Sequence, residues 1–245
     1  FMASSMRASE MPPPDMWMAG KLVNYYYYGH ASAALWALLT NVSADHGYQL
    51  HMATLFALTG VGIFCLSREI SKPSGPFVSF VCSLTCAFLV LYAGNFHSVL
   101  YTVFRDWMGA TNPDFYFPDS TRFIGFDPDT DDKAFTEFVA YGFRAGDMHA
   151  HLLATPAAVL AMISLLSAMR NNWQAAVSTW LYAVFYGWLL GLSYMTNAWD
   201  LAISGLLAVL VGWVLLVRHD GPVSVRFDAL FSAGMICLAV AFAIA

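Results

Sequence analysis

The sequence predicts an all-α polytopic membrane protein, and three observations predict it. The 245-residue chain is 59% hydrophobic and 11% charged, with a mean hydropathy of +0.58. Soluble domains run about 45–50% apolar and roughly 25% charged, and disordered chains need low hydrophobicity with high net charge, so both classes are excluded. Six apolar runs are long enough to cross a bilayer, which takes about 17–25 helical residues, and most loops between them are short. The 11 Lys and Arg against 16 Asp and Glu give a net charge of −5, which argues against a nucleic-acid partner and leaves membrane lipids as the expected surroundings.

The chain reads as one membrane domain over 1–245. It opens on Phe1 and stops at Ala245 inside an apolar run, so it is expected to be a fragment of a longer protein. Residues 1–47 form an external, juxtamembrane segment in which Met11–Pro14 lead extended into Asp15–Trp17. Run 25–40 is short and starts with four tyrosines. It is expected to lie along the interface, where an aromatic ring keeps a wet hydroxyl and a dry face. Runs 48–66 and 77–93 are the first two spans, and 149–169, 174–194, 201–217 and 227–245 are four more. Between the two sets lies 94–148, a loop with nine acids and four bases, whose Pro, Phe and Tyr content suggests a packed cap.

With 25–40 not crossing, Arg68, Lys72, Arg170, Arg218 and Arg226 fall in short loops on one side. The positive-inside rule makes that side cytoplasmic. The acidic loop and the short 195–200, which has no Lys or Arg, then face the exterior of the cell membrane. Cys65, Cys82, Cys86 and Cys237 all lie inside apolar runs and read as small hydrophobes.

The first polar cluster is Asp147, His149 and His151 in GDMHAHLLATP, where the long loop enters a span. Ionisable groups at membrane depth are costly, so they are functional candidates. On a regular helix Asp147 and His151 share a face and His149 points away. The three converge only if the segment is not a regular helix. Pro156 permits this if it sits in a helix's first turn with Thr155 as cap. The plain alternative is a helix N-terminus whose dipole Asp147 stabilises. The same groups can bind a divalent metal, hold a phosphate, or act as acid and base; no further metal ligand is evident, and none is assigned.

A second cluster, Thr196, Asn197, Trp199 and Asp200, also reads as a helix cap with an interfacial anchor. A third, Asn24, Tyr25–Tyr28 and His30, also reads as an aromatic belt. Arg122, in DSTRFIGFDP, suits an anionic headgroup or an ion pair with Asp119 or Asp127. The run from Asp127 to Asp132 opens like a calcium loop, but Asp132 stands where glycine is needed and Phe138 where glutamate is. A solvated acidic loop is expected there.

Taken in order, MPPPDMWMAGKLVNYYYYGH, DSTRFIGFDPDTDD, GDMHAH and TNAWD resemble the motifs of the large "YYY" membrane proteins of Chloroflexi and archaea, over about residues 1–205. That family is similar in layout to the GT-C superfamily of membrane glycosyltransferases. The resemblance implies a GT-C-like fold and an inverting enzyme that takes a sugar from a polyprenyl-phosphate carrier on the external face. Asp147, His149 and His151 would then be catalytic, with Arg122 and the two histidines on the phosphate side. Asn24, Tyr25, Tyr28 and His30 would line the sugar and acceptor pocket, and Trp199 and Asp200 would close it. The family usually carries a Glu-Lys-Pro-Met-Asp stretch before the residues matching Phe1–Met6, and this chain starts after it. Asp15 is the best remaining acid for the base role that stretch would fill. Two readings from other classes stand beside this one. They are a transporter lined by His51, Asn95, His97 and Asp147, and a non-catalytic subunit of a larger membrane assembly.

Overall fold

The computed structural model describes residues 1–97, 100, 103–108, 117–122, 124–126, 129–170, 176–218 and 223–244. Among these the chain is mostly helical, with two isolated β-bridges, Pro14 to Leu22 and Phe126 to Asp129. The helices are α1 (Met2–Arg7), α2 (Tyr28–Leu39), α3 (Ala44–Ser71), α4 (Pro76–Tyr92), α5 (Arg105–Met108), α6 (Val139–Ala145), α7 (Ala150–Arg170), α8 (Ala176–Thr196), α9 (Ala198–Arg218) and α10 (Val223–Ile244). Among the described residues, Ala44–Ser74, Ala150–Arg170 and Ala198–Val217 are long and apolar enough to cross a membrane, and Pro76–Tyr92 and Asp228–Ala243 are shorter apolar helices. Large apolar side chains such as Phe77, Val209, Trp213 and Phe242 point away from the protein. That is costly in water and natural in lipid. The chain is an integral, all-α membrane protein.

Each expected span overlaps a helix, though residues 174, 175 and 245 lie outside the described residues, and three of the six helices, α3, α9 and α10, outrun their apolar runs because polar residues at their ends still obey helical geometry. The expected loop 195–200 shrinks to Asn197, whose N–H donates to Ser193 O at 2.7 Å. Pro156 corrects an expectation. The sequence predicts a first-turn position, yet α7 starts at Ala150 and carries the proline in its interior. There the Thr155 hydroxyl donates to His151 O at 2.8 Å instead of capping.

Helix α2 has 12 residues, about 18 Å at 1.5 Å per residue, too short to cross. Asn41, at φ +54°, stops it in a Schellman turn. Its N–H bonds Leu38 O at 3.2 Å, and the Val42 N–H bonds Ala37 O at 2.9 Å. The chain then turns straight into α3.

Helices α3 and α4 form a hairpin around the turn Lys72–Ser74. The rings of Phe56 and Tyr92 meet edge-on at 5.6 Å, so the last residue of α4 is level with Phe56. The stretch of α3 from Ala44 to Phe56 therefore projects about 18 Å beyond α4. Tyr48 and His51 sit on that projection, which marks the histidine end of the bundle. At the opposite end the Arg170 guanidinium donates to Glu69 Oε2 at 2.5 Å and to Glu69 O, tying α7 to α3.

Two apolar clusters hold the bundle. Met2, Ala33, Ala34, Ala37, Leu55, Met148 and Leu153 join α1, α2, α3 and the start of α7 at the histidine end. Ala161, Tyr186, Leu189, Leu190 and Ala241 join α7, α8 and α10. The Tyr186 hydroxyl donates to Ser204 O at 2.7 Å and adds α9.

Candidate functional site

The site begins with a glycine. Gly146 ends α6 at φ +68°, a left-handed conformation that side chains resist. The turn bends the chain so that the Asp147 N–H bonds Gly142 O at 3.1 Å. Residues 147–149 are not helical, and α7 starts one residue later. His149 O accepts the N–H groups of Leu152 and Leu153, each at 3.0 Å, so His149 occupies the N-cap position. This irregular segment lets the two histidines lie side by side, which a regular helix would forbid.

Asp147 Oδ2 lies 2.5 Å from His149 Nδ1. A carboxylate only accepts, so Nδ1 carries a proton toward Asp147 and Nε2 is turned away from it. The His149 and His151 rings stack at 5.7 Å with 24° between their planes. His151 Nε2 is buried and lies 3.4 Å from Glu137 Oε2, without closing a hydrogen bond. Two carboxylate–imidazole pairs thus stand together.

Tyr48 fixes this arrangement from α3. Its hydroxyl donates to Gly146 O at 2.7 Å and accepts from the Met148 N–H at 3.0 Å. Leu152 and Leu153 are almost fully buried and anchor the first turn of α7. A Cβ built on Gly29 of α2 would stand 2.7 Å from Leu153 Cδ1, so α2 rests directly on that turn. The tyrosine run and the histidine pair are therefore neighbours.

His30, the next residue, is buried. Burial first, then the positive amino group of Phe1, then His51 and His149 bring its pKa down to about 4, against a pull upward from Asp147. It is a neutral imidazole at pH 7. Its ring packs 5.3 Å from Phe1, which stacks on Tyr25 at 5.9 Å. Tyr28 begins α2, half-buried, while Asn24 and Tyr25 are exposed. From the other side Asp200, in the first turn of α9, reaches His151 electrostatically and is hydrogen-bonded by the Asn197 side chain. Trp199 beside it is 76% exposed.

The structure thus brings together Asp147, His149, His151, His30, the tyrosine run and Asp200. Other candidates lie elsewhere or are engaged locally. Asp15 Oδ1 accepts the N–H groups of Trp17 at 2.7 Å and Met18 at 3.2 Å, so it closes a turn. The Arg122 guanidinium sits 5.3 Å over the Phe135 ring. Asn95 donates to Ser120 O at 2.6 Å and accepts the His97 N–H, both bonds lying within the long loop. Asp127 lies outside the described residues. Among the described residues no group of three or more His, Cys, Asp or Glu is placed to hold a metal ion.

Sequence reasoning missed Tyr48 and Glu137. Tyr48 stands among the polar residues that open α3, in DHGYQLH, where a polar tip on a helix end is a weak signal. Glu137 sits ten residues before Asp147 and nothing local marks it.

A family model described as an uncharacterized membrane protein (DUF2298) matches residues 1–245. No curated protein and no solved structure matches the chain.

Proposed function

The chain belongs to the DUF2298 family of uncharacterized membrane proteins, and on that premise we propose that it is a GT-C-like glycosyltransferase of the cell membrane. Its donor is a sugar on polyprenyl phosphate, and its site faces the exterior. One observation supports this above the others. Motifs scattered over 170 residues, from the tyrosine run to Asp200, meet at one end of the bundle around an oriented imidazole. The basic Arg68, Lys72 and Arg170 sit at the opposite end, as an extracytoplasmic site requires.

In this reading His149 is the general base. Its Nε2 takes the proton of the acceptor hydroxyl while Asp147 stabilises the imidazolium that forms. The acceptor oxygen bonds to the anomeric carbon from the face opposite the phosphate. The carbon–oxygen bond to the phosphate breaks, and the phosphate leaves with the electron pair. His151, beside Glu137, donates to a departing phosphate oxygen. Tyr25, Tyr28, Asn24 and His30 offer aromatic faces and neutral hydrogen-bonding groups to the sugar. The base role passes from Asp15 to His149 because the Asp15 carboxylate is occupied by its own turn.

The test is mass spectrometry of lipid-linked sugars that co-purify with the full-length protein and its variants. Wild type is expected to carry a polyprenyl-phosphate sugar or its spent carrier. His149→Ala and Asp147→Asn are expected to retain the donor intact, with transfer lowered 100-fold or more, on the order of one lost base. Absence of any such lipid from wild type, or full transfer by both variants, would remove the reading.

A further inference from the structure

A second cavity lies on the far side of α6. It is a cleft of about 610 Å³ between α3, α4 and α6. Met52, Phe56, Leu91, Tyr92 and Phe143 form its walls, and Arg144 stands among its lining residues. Phe56 is the corner of the wall, edge-on to Tyr92 at 5.6 Å and to Phe143 at 5.1 Å. None of the histidines lines the cleft. Gly142 turns the other side of α6 toward Leu152, where its Cβ would stand 3.2 Å from Cδ2, so α6 divides the two sites.

Lining and charge point to the occupant. Tyr92 is the last residue of the membrane helix α4, and α6 packs across that end. The cleft therefore opens beside the end of α4, against the α3 stretch that runs on past it. Tyr92 is 63% exposed, so the cleft is open at that edge. An apolar slot of this size is within the about 300–1,000 Å³ range of small-molecule sites, and the cation beside it selects for negative charge. Arg144 is exposed and also engaged within the fold, and a guanidinium has five N–H donors to distribute, two of which can fork onto a phosphate.

We propose that this cleft is a binding site for an anionic phospholipid, with one acyl chain against Phe56 and Phe143 and the phosphate on Arg144. The shape admits the chain, and the charge picks the headgroup. A zwitterionic lipid with the same chains fills the slot but brings a cation of its own to the guanidinium.

The experiment is native mass spectrometry of the full chain in a mild non-ionic detergent, titrated with phosphatidylglycerol or phosphatidylcholine of identical acyl composition. Wild type is expected to bind the anionic lipid about tenfold more tightly, the scale of one charge-assisted contact. Arg144→Gln is expected to abolish that preference while keeping the phosphatidylcholine level. Ala53→Trp, which fills the slot from an exposed position on α3, is expected to lose both lipids. Equal binding of the two lipids by wild type overturns the proposal. So does an undiminished preference in Arg144→Gln, or unchanged binding of both lipids in Ala53→Trp.

Discussion

Tyr48 shows how one hydroxyl can govern a site it does not belong to. It satisfies Gly146 O and the Met148 N–H at once, on either side of Asp147. Tyr48→Phe keeps the ring in its cluster but leaves two backbone groups without a partner. The expected cost is about 1–3 kcal/mol, read as a lower melting temperature, together with a loss of transfer greater than the stability change explains. Transfer at the wild-type rate would show that the 146–148 turn holds without it. His30 supplies a second test. Unfolded, its imidazole takes up a proton as pH falls through about 6.5; folded, it resists until about 4. In that window the unfolded state holds more protons, so stability is complete above pH 6.5 and declines toward pH 4, by at most about 3 kcal/mol. His30→Gln should flatten this acid limb in a series of melts at different pH. Parallel curves for variant and wild type would mean that His30 is not the group responsible. At this scale Asp147 and His149 were legible in the sequence, because charge at a membrane boundary announces itself. Glu137 was not, because its role depends on where a loop folds back.

Helices α2 and α7 meet through the absence of a side chain. Gly29 lets Leu153 approach to a distance no Cβ tolerates, and this contact sets the tyrosine run against the histidine pair. Gly29→Val should displace α2 and cost about 1–3 kcal/mol through overpacking. Trimming the partner should recover part of it, so Gly29→Ala with Leu153→Ala is expected to be less unstable than the two single changes summed. Strict additivity in thermal melts would separate the two elements. The positions of the helices themselves were readable, since apolar runs and helices coincide to within a few residues. Pro156 sits in the interior of α7 and not in its first turn, because its position within a helix depends on where the helix begins. That point was set by the left-handed turn at Gly146 and the burial of Leu152 and Leu153, not by the proline.

For the molecule as a whole, the consequential feature is its polarity, with imidazoles and carboxylates at one end and the Glu69–Arg170 clamp at the other. If the histidine end is external, a membrane-impermeant maleimide should label Trp199→Cys in intact cells and Lys72→Cys only after permeabilisation, in a background without the four native cysteines. Both positions are at helix ends outside the core. The reverse pattern would invert the topology and end the extracytoplasmic transferase reading.

The amino-acid sequence by itself determined that the chain lives in a membrane, where its helices run, and which ionisable residues stand at their ends. Composition and hydropathy are sums over local residues, and the bilayer reads them locally. Only the tertiary structure decided which of those ends meet. That outcome rests on contacts between residues far apart in the chain, Gly29 on Leu153, Tyr48 on Gly146 and Glu137 beside His151. Close packing admits few such arrangements, and no local pattern encodes them.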